Sequence, residues 1–415
     1  MLTRVGVDCP GHATMPQPKP STIVATRYRV TAITAEEEFS AMCDVWNDLV
    51  NQIPAASVFL RHEWFEAAWA WRKINSGFLC LCAYQDGTLV GILPLIITLQ
   101  RRGLYVERRL EFLTVPDTQM CDVIAAVDSR AAVACAFADE LERRRTEWDA
   151  LQFDYLQGKS IAAMELSEEL GKHGYRCRTQ DAGRNLFVAL SGTWADYHST
   201  RSRRFKKANN LIANRLKKAG KVQIDWLEPG SDDAGAASAA LEAAIRISAN
   251  SWKRETGNSL GDPGPQAFIR ALSEWAFRRG WLSLWILSVN GEPLAMEYQL
   301  VFNARVYALR SDFVESSAEI SPGSHLNRHL LENFFERGLE RYYMGPGENA
   351  YKVRWSSEGE PLHRTSVYGR TLRGRIAELL DLTVKPWYRD LRGRLLALRA
   401  TQASAGKPVS EDADD

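Results

Sequence analysis

The chain has 415 residues, with 52 Lys and Arg against 51 Asp and Glu, 45% hydrophobic and 25% charged. At the usual ~100–200 residues per domain that length holds two or three domains, and the composition is that of an ordinary globular protein. The balanced charge excludes a partner chosen by overall field, so any electrostatic attraction must come from local patches.

In chain order, residues 1–28 are rich in Pro, Thr and Gly, lack the apolar core of a signal peptide, and read as disordered. A strand (RYRVTAI) leads to a helix (AEEEFSAMCDVWNDLV), a loop and a second helix (RHEWFEAAWAWRK). Two strands follow, joined by Asp86-Gly87, a strong hairpin signal. The longest apolar run, TLVGILPLIITL, is too short to cross a bilayer as a helix. Then come a strand (YVERRLEFLTV), a helix (RAAVACAFADELERRR), a strand (ALQFDYL), a helix (AAMELSEELGKHG) and a strand pair near RCRTQ and NLFVAL. The seven cysteines are odd in number and show no C-x-x-C spacing. They read as buried thiols of a reduced, cytoplasmic chain with no metal site.

A helix over 193–220 follows, with nine Lys and Arg between Arg201 and Lys221 and no acid. Phe205, Leu211, Ile212 and Leu216 give it an apolar stripe, which favours packing with a solvated cationic face over nucleic-acid binding. The earlier order then repeats: strand (KVQIDWLE), helix (AALEAAIRISANSWKRE), helix (QAFIRALSEWAFRRG), a hairpin at Asn290-Gly291, strand (RVYALRSDF), helix (HLNRHLLENFFERG), strands (LERYYM, HRTSVYGRT). Asp86 and Asn290 stand as far apart as Trp71 and Trp275 in the preceding helices, which suggests a duplication. Alternating strands and helices with central hairpins predict an α/β fold with mixed, mostly antiparallel sheets flanked by helices. The expected units are 29–192, the basic helix 193–220, 221–370, amphipathic basic helices over 371–400 and an acidic disordered tail over 401–415. The amphipathic pair, broken at Pro386, suits either an anionic membrane surface or docking on the protein.

Three segments can carry chemistry. In SPGSHL, Ser321 can cap a helix with Pro322 at its first position, leaving the N–H groups of Gly323 and Ser324 at the positive end of the helix dipole. In PLAMEYQLVF, Leu294, Met296, Tyr298, Leu300 and Phe302 share one strand face, and Ala295, Glu297, Gln299 and Val301 the other. Glu297 is a candidate general base, or else pairs with Arg310 on the next strand. In GPGENAYKVRW, Tyr351 and Lys352 follow the end of a strand, where α/β sheets bind ligands. There a Tyr can donate a proton to a leaving group and a Lys can offset an oxyanion. His325 and His329 have metal-ligand spacing but lack the Glu of a zinc-protease word.

The hairpin WILSVNGEPLAMEYQLVFNARVYALRSDF, then Ser321-Pro322-Gly323, then Tyr351-Lys352-Val353-Arg354-Trp355, resemble the GNAT acyltransferase superfamily. Within it they resemble the CelD-type acetyltransferases of cellulose and exopolysaccharide biosynthesis, related to the tandem-GNAT FemABX-type transferases. The resemblance covers about 29–370 and implies tandem GNAT-like domains, the second catalytic. It implies transfer of an acyl group, acetyl above all, from acyl-CoA to an amine or hydroxyl of a small molecule or glycan precursor. Glu297, Tyr351 and Lys352 are then catalytic; Ser321, Gly323, Ser324 and His325 bind the donor; Gln299, Arg310, Asp312, Arg354 and Trp355 face the substrate. The donor's arm is expected along the strand RVYALRSDF, and the protein itself in the cytoplasm or peripherally at the inner face of the membrane. The usual Arg/Gln-x-x-Gly-x-Gly/Ala loop is reduced here to Ser-Pro-Gly-Ser-His, which leaves a carrier protein or aminoacyl-tRNA open as donor. The rival expectation is a non-catalytic scaffold of polysaccharide biosynthesis.

Overall fold

Both dipeptides expected to turn hairpins do so in left-handed backbone: Asp86 and Gly87 at φ 50° and 88°, Asn290 and Gly291 at 54° and 85°. Two successive positive φ values match the right-handed twist of the flanking strands, and Asn, Asp and Gly tolerate them best. The computed structural model describes residues 28–103 and 105–384. The first half contains β1 (Tyr28–Ile33), α1 (Glu36–Ser40), α2 (Cys43–Asn51), α3 (His62–Arg72), β2 (Ser76–Gln85), β3 (Thr88–Arg102), β4 (Tyr105–Phe112), β5 (Ile124–Ala125), α4 (Arg130–Arg143), β6 (Ala150–Leu156), α5 (Glu165–Lys172) and β7 (Arg176–Ala189). After α6 (Trp194–Ser199) and α7 (Arg203–Ala219), the second half contains β8 (Val222–Leu227), α8 (Ala234–Ala249), α9 (Pro263–Arg278), β9 (Leu282–Val289), β10 (Glu292–Phe302), β11 (Arg305–Phe313), α10 (Pro322–Phe335), β12 (Arg341–Pro346), α11 (Ala350–Val353), β13 (Gly359–Tyr368) and α12 (Leu372–Leu379).

The strands form one mixed sheet in the order β1-β2-β3-β4-β6-β13-β7-β12-β11-β10-β9-β8, with β5 beside β3. Apart from β5, the two halves match strand for strand. In each, an antiparallel series ends in a parallel pair three residues long: Arg109–Glu111 against Ala150–Gln152, and Arg305–Tyr307 against Arg341–Tyr343. The last strand of each half crosses over. β7 pairs with β12 of the second half, and β13 pairs with β6 of the first. Side chains from the two sheet faces pack into two large apolar clusters under the flanking helices.

Several sequence expectations change in detail. Tyr28 opens β1 rather than closing a disordered segment. The helix expected over 35–50 breaks at Ala41 and Met42. The strand pair near RCRTQ and NLFVAL is the single strand β7, in which Gly183 at φ 91° receives the Asp181 carboxylate on its N–H at 2.7 Å. The basic helix is two helices, because the Ser202 hydroxyl accepts the Phe205 N–H at 3.2 Å and starts α7 afresh. Leu211 is 50% exposed and off the buried stripe that Phe205, Ile212 and Leu216 form. The helix ending in SWKRE stops at Ala249, and residues 252–255 form a separate 3-10 turn. In β10 a register shift between Pro293 and Ala295 moves Leu294 to the opposite face from Met296 and Tyr298.

None of the described helices is long and apolar enough to cross a membrane. α12 docks on the first half: the Tyr105 hydroxyl donates to the Arg373 carbonyl at 3.0 Å, and Asp381 pairs with Arg102 and Arg109 at 2.9 Å each. The expected segments 1–27 and 385–415, including the kink at Pro386, lie outside the described residues.

Candidate active site

β11 and β12 stop pairing after Tyr307 and Tyr343. Beyond that point a cavity of about 550 Å³ opens at the carboxyl ends of the two strands. Glu297, Arg310, Ser321, Gly323, Ser324, Tyr351, Lys352 and Arg354, all singled out in the sequence, line it. Thus β10, β11, the start of α10 and α11, far apart in sequence, meet at one place.

Glu297 is 3% exposed and lies opposite Ser311 in the β10–β11 ladder. Its carboxylate accepts the Tyr342 hydroxyl at 2.7 Å and is hydrogen-bonded with Ser311. Burial pushes its pKa up to about 7 against those hydrogen bonds and the pull of Lys253. The alternative pair with Arg310 does not form, since Arg310 opposes Tyr298 and its guanidinium bonds the Asp117 carboxylate and the Asn258 carbonyl, at 2.5 and 2.6 Å.

Tyr351 is hydrogen-bonded with the same Ser311, and burial, reinforced by Glu297, pushes its phenol up, so it stays protonated. Ser311, itself exposed, therefore joins both groups to the cavity. The Lys352 ammonium turns inward and donates to the carbonyls of Gly345 at 2.9 Å and Pro346 at 2.8 Å. An ammonium has three donors, so one remains for a ligand. Burial first, then the neighbouring Lys253, lowers its pKa to about 8 against the opposing pull of Glu297. Gly345 is glycine for its backbone: its φ of 83° is left-handed, whereas a Cβ there would only touch Lys352 Nζ, at 3.5 Å.

At the start of α10, Ser321 occupies the N-cap position with left-handed φ 51° and ψ 54°, followed by Pro322. The expected side-chain cap is absent, because the Ser321 hydroxyl turns back to the Ala318 carbonyl at 3.3 Å. The first turn contains no acid either. Its N–H groups and dipole are left to whatever occupies the cavity. A Cβ on Gly323 would meet only a Phe313 ring carbon, at 3.5 Å.

Four expected residues do not line this cavity. Gln299 is fully buried and accepts from the Ser283 hydroxyl at 3.1 Å. Asp312 is pinned by Lys253 at 2.5 Å. Trp355 is buried with its edge against Phe205. His325 is held below its ordinary pKa by burial, then by Arg328, His329 and Lys217.

The sequence reading missed Trp252 and Lys253, which reach the cavity because the 3-10 turn bends them away from α8. It also missed Tyr342 and Asn327, whose side-chain oxygen lies 3.0 Å from the Tyr342 hydroxyl. Asn327 stands four residues after Gly323, on the same helix face, a spacing that could have found it. The first half contributes as well. The Gln119 amide donates to the Ala308 carbonyl at 2.8 Å and accepts from Asn185 at 3.3 Å. The free edge of β11 expected for a donor's arm is thus already occupied at Ala308.

Residues 169–353 match the family model described as an acetyltransferase (GNAT) domain, a stretch that contains Glu297, the α10 start, Tyr351 and Lys352. Over that stretch, a little under half of its length, the chain is similar to an acetyltransferase (GNAT) domain. Among solved structures, the C-terminal domain of a provisionally named lysylphosphatidylglycerol synthetase from Agrobacterium fabrum matches at TM-score 0.50 and 13% identity, over 83% of this chain and 97% of that one. FemX matches at TM-score 0.50 and 11% identity, over 85% of this chain and 99% of its own. A tandem GNAT protein from the clavulanic acid biosynthesis pathway matches at TM-score 0.46 and 11% identity, over 83% and 99%. At these identities the first two likenesses show the fold. No curated protein matches the chain.

Proposed function

We propose that the cavity transfers an acyl group from a thioester, acyl-CoA in the first instance, to an amine or hydroxyl. The observation that carries this reading is the meeting of an uncapped helix start, a buried carboxylate and an inward-turned lysine around one cavity. The donor's phosphates lie against the Gly323 and Ser324 N–H groups. The acceptor's nitrogen or oxygen attacks the thioester carbonyl, forming the new acyl bond as the carbon–sulfur bond breaks. Glu297 receives the acceptor's proton through Ser311. Lys352 gives its proton to the departing thiolate, while Tyr351, which stays protonated, orients Ser311. Holding both reactants together supplies much of the rate, so few chemical groups are needed. The acceptor is a hydroxyl or amine of a glycan precursor, a choice supported by the resemblance of the Ser-Pro-Gly and Tyr-Lys-x-x-Trp words alone.

The test is thiol release by the full chain from acetyl-CoA and longer acyl-CoAs, against a panel of amino and hydroxyl sugars. One donor site per chain and turnover with at least one acceptor are expected. Lys352→Ala should lower kcat by about a hundredfold, the scale of one lost proton donor. If no acyl donor binds by calorimetry, the transferase reading fails and the scaffold reading takes its place.

A further inference from the structure

A second cavity, of about 730 Å³, lies beside the first. The two share Ser324, Tyr351 and Arg354 in their walls. Its far wall is the turn before α7 and the first half of that helix, which bring Arg201, Arg204, Phe205 and Asn209. Together with Arg354 this bay presents three guanidiniums and no carboxylate. The hydrogen bonds of the cations in and just before α7 go to backbone carbonyls and a hydroxyl: Arg201 to Trp355 and Thr200, Lys206 to Ser199, Arg215 to Glu319. Among the described residues no acid pairs with any of the nine cations from Arg201 to Lys221.

Two further features point to a ligand richer than a lone phosphate. Asn209 is 6% exposed and its Nδ2 has no hydrogen-bond partner. Unpaired buried donors are rare because each costs desolvation without return. The Phe205 ring, braced edge-on by Trp355 at 4.9 Å, offers an aromatic surface in the same wall. Arginines for phosphate, an aromatic face for a base and an amide for a base edge are the chemistry of nucleotide recognition.

We propose that this bay binds the phosphorylated nucleoside end of one of the two reactants. Arg201, Arg204 and Arg354 hold its phosphates (in a coenzyme A-type donor the ribose phosphate, the diphosphate staying at the Gly323 and Ser324 N–H groups), Phe205 stacks on its base, and Asn209 reads the base edge. The ligand enters past Ser324 and Tyr351 into the transfer cavity; that direction rests on the transferase reading, whereas the chemical class of the ligand does not. The nucleotide belongs either to a coenzyme A-type donor or to a sugar-nucleotide acceptor.

Calorimetry on the full chain with adenosine 3′,5′-bisphosphate and, separately, with UDP decides between these sources. One site per chain for at least one of them is expected, and the tighter one names the source. Arg204→Ala should weaken it about tenfold at constant ionic strength, the scale of one charge-assisted hydrogen bond. Lys218→Ala, an equal loss of charge at the other end of α7, should leave it unchanged. Asn209→Ala should act like Arg204→Ala; should that variant not fold, the exposed Arg204 site tests the proposal alone. Failure of both nucleotides to bind, or equal loss in Arg204→Ala and Lys218→Ala, overturns the proposal. Nucleotide binding without thiol release from any acyl donor sinks the transferase reading and keeps the bay. Turnover that is indifferent to Arg204→Ala, with no nucleotide bound, does the reverse.

Discussion

Glu297 and Lys352 are moved toward each other in pKa by the same cause, burial: the carboxyl up to about 7 and the ammonium down to about 8. A base that must be ionised and an acid that must be protonated then share a narrow window. The rate should rise with pH through about 7 and fall above about 8, and Glu297→Gln should remove the rising limb. A single-limbed profile with a pKa near 4 would contradict the assignment. The same shift has a stability consequence of opposite sign. Because the folded chain holds the Glu297 proton more tightly than the unfolded chain, this group's contribution is fully present below about 4.5 and is lost as pH rises through about 7. Glu297→Gln should therefore raise resistance to urea at pH 8 by on the order of 2 kcal/mol while lowering, not abolishing, transfer. Glu297 was legible in the sequence because strand alternation puts it on one face with Gln299. Ser311 and Tyr342 were not, because only cross-strand register and the β11–β12 pairing bring them to its carboxylate.

At the scale of elements, the two halves use matching pieces to opposite ends. In the first half, the Asp122 carboxylate bonds the Ser160 hydroxyl and the N–H groups of Ile161 and Ala162, at 2.8, 2.7 and 3.0 Å. That closes the turn after β6. In the second half the turn after β12 carries Lys352 instead, open to the cavity. Asp122→Ala should cost about 3 kcal/mol in urea unfolding, since it leaves those donors unmet. The start of α10 offers the converse experiment. Gly323→Asp places a built-in anion at the helix end, and the Cβ has room beside Phe313. Donor affinity should fall by at least about tenfold with little change in stability. An unaltered donor Kd would show that the phosphates bind elsewhere. Ser321-Pro322-Gly323 marked this helix start in the sequence through its cap and Pro signals. The left-handed Ser321 that turns its own hydroxyl away could not be read there, because it depends on the preceding 3-10 turn over 315–320.

Across the whole molecule, exchange of β7 and β13 makes one sheet of two repeats. Residues 28–192 and 221–384 expressed apart should each fail to give a cooperative transition, since each lacks the strand its neighbour supplies; a folded isolated half by circular dichroism would refute this. The Arg310–Asp117 pair ties the halves beneath the cavity, both side chains at 5% exposure or less. Asp117→Ala strands a buried guanidinium and should cost about 3–5 kcal/mol. Sequence alone determined the order and type of the elements, the two hairpins, the repeat, and the helix start and Tyr-Lys word that the cavity brings together. Those are local properties, set by side-chain period, turn backbone and capping chemistry within a few residues. The tertiary structure alone decided which strands exchange, that Arg310 and Asp312 serve internal ion pairs, that Lys253 reaches the site, and that Asp117 and Gln119 brace its wall through Arg310 and Ala308. Each of these depends on contacts between residues distant in sequence, whose energy comes from burial and register that no local pattern encodes.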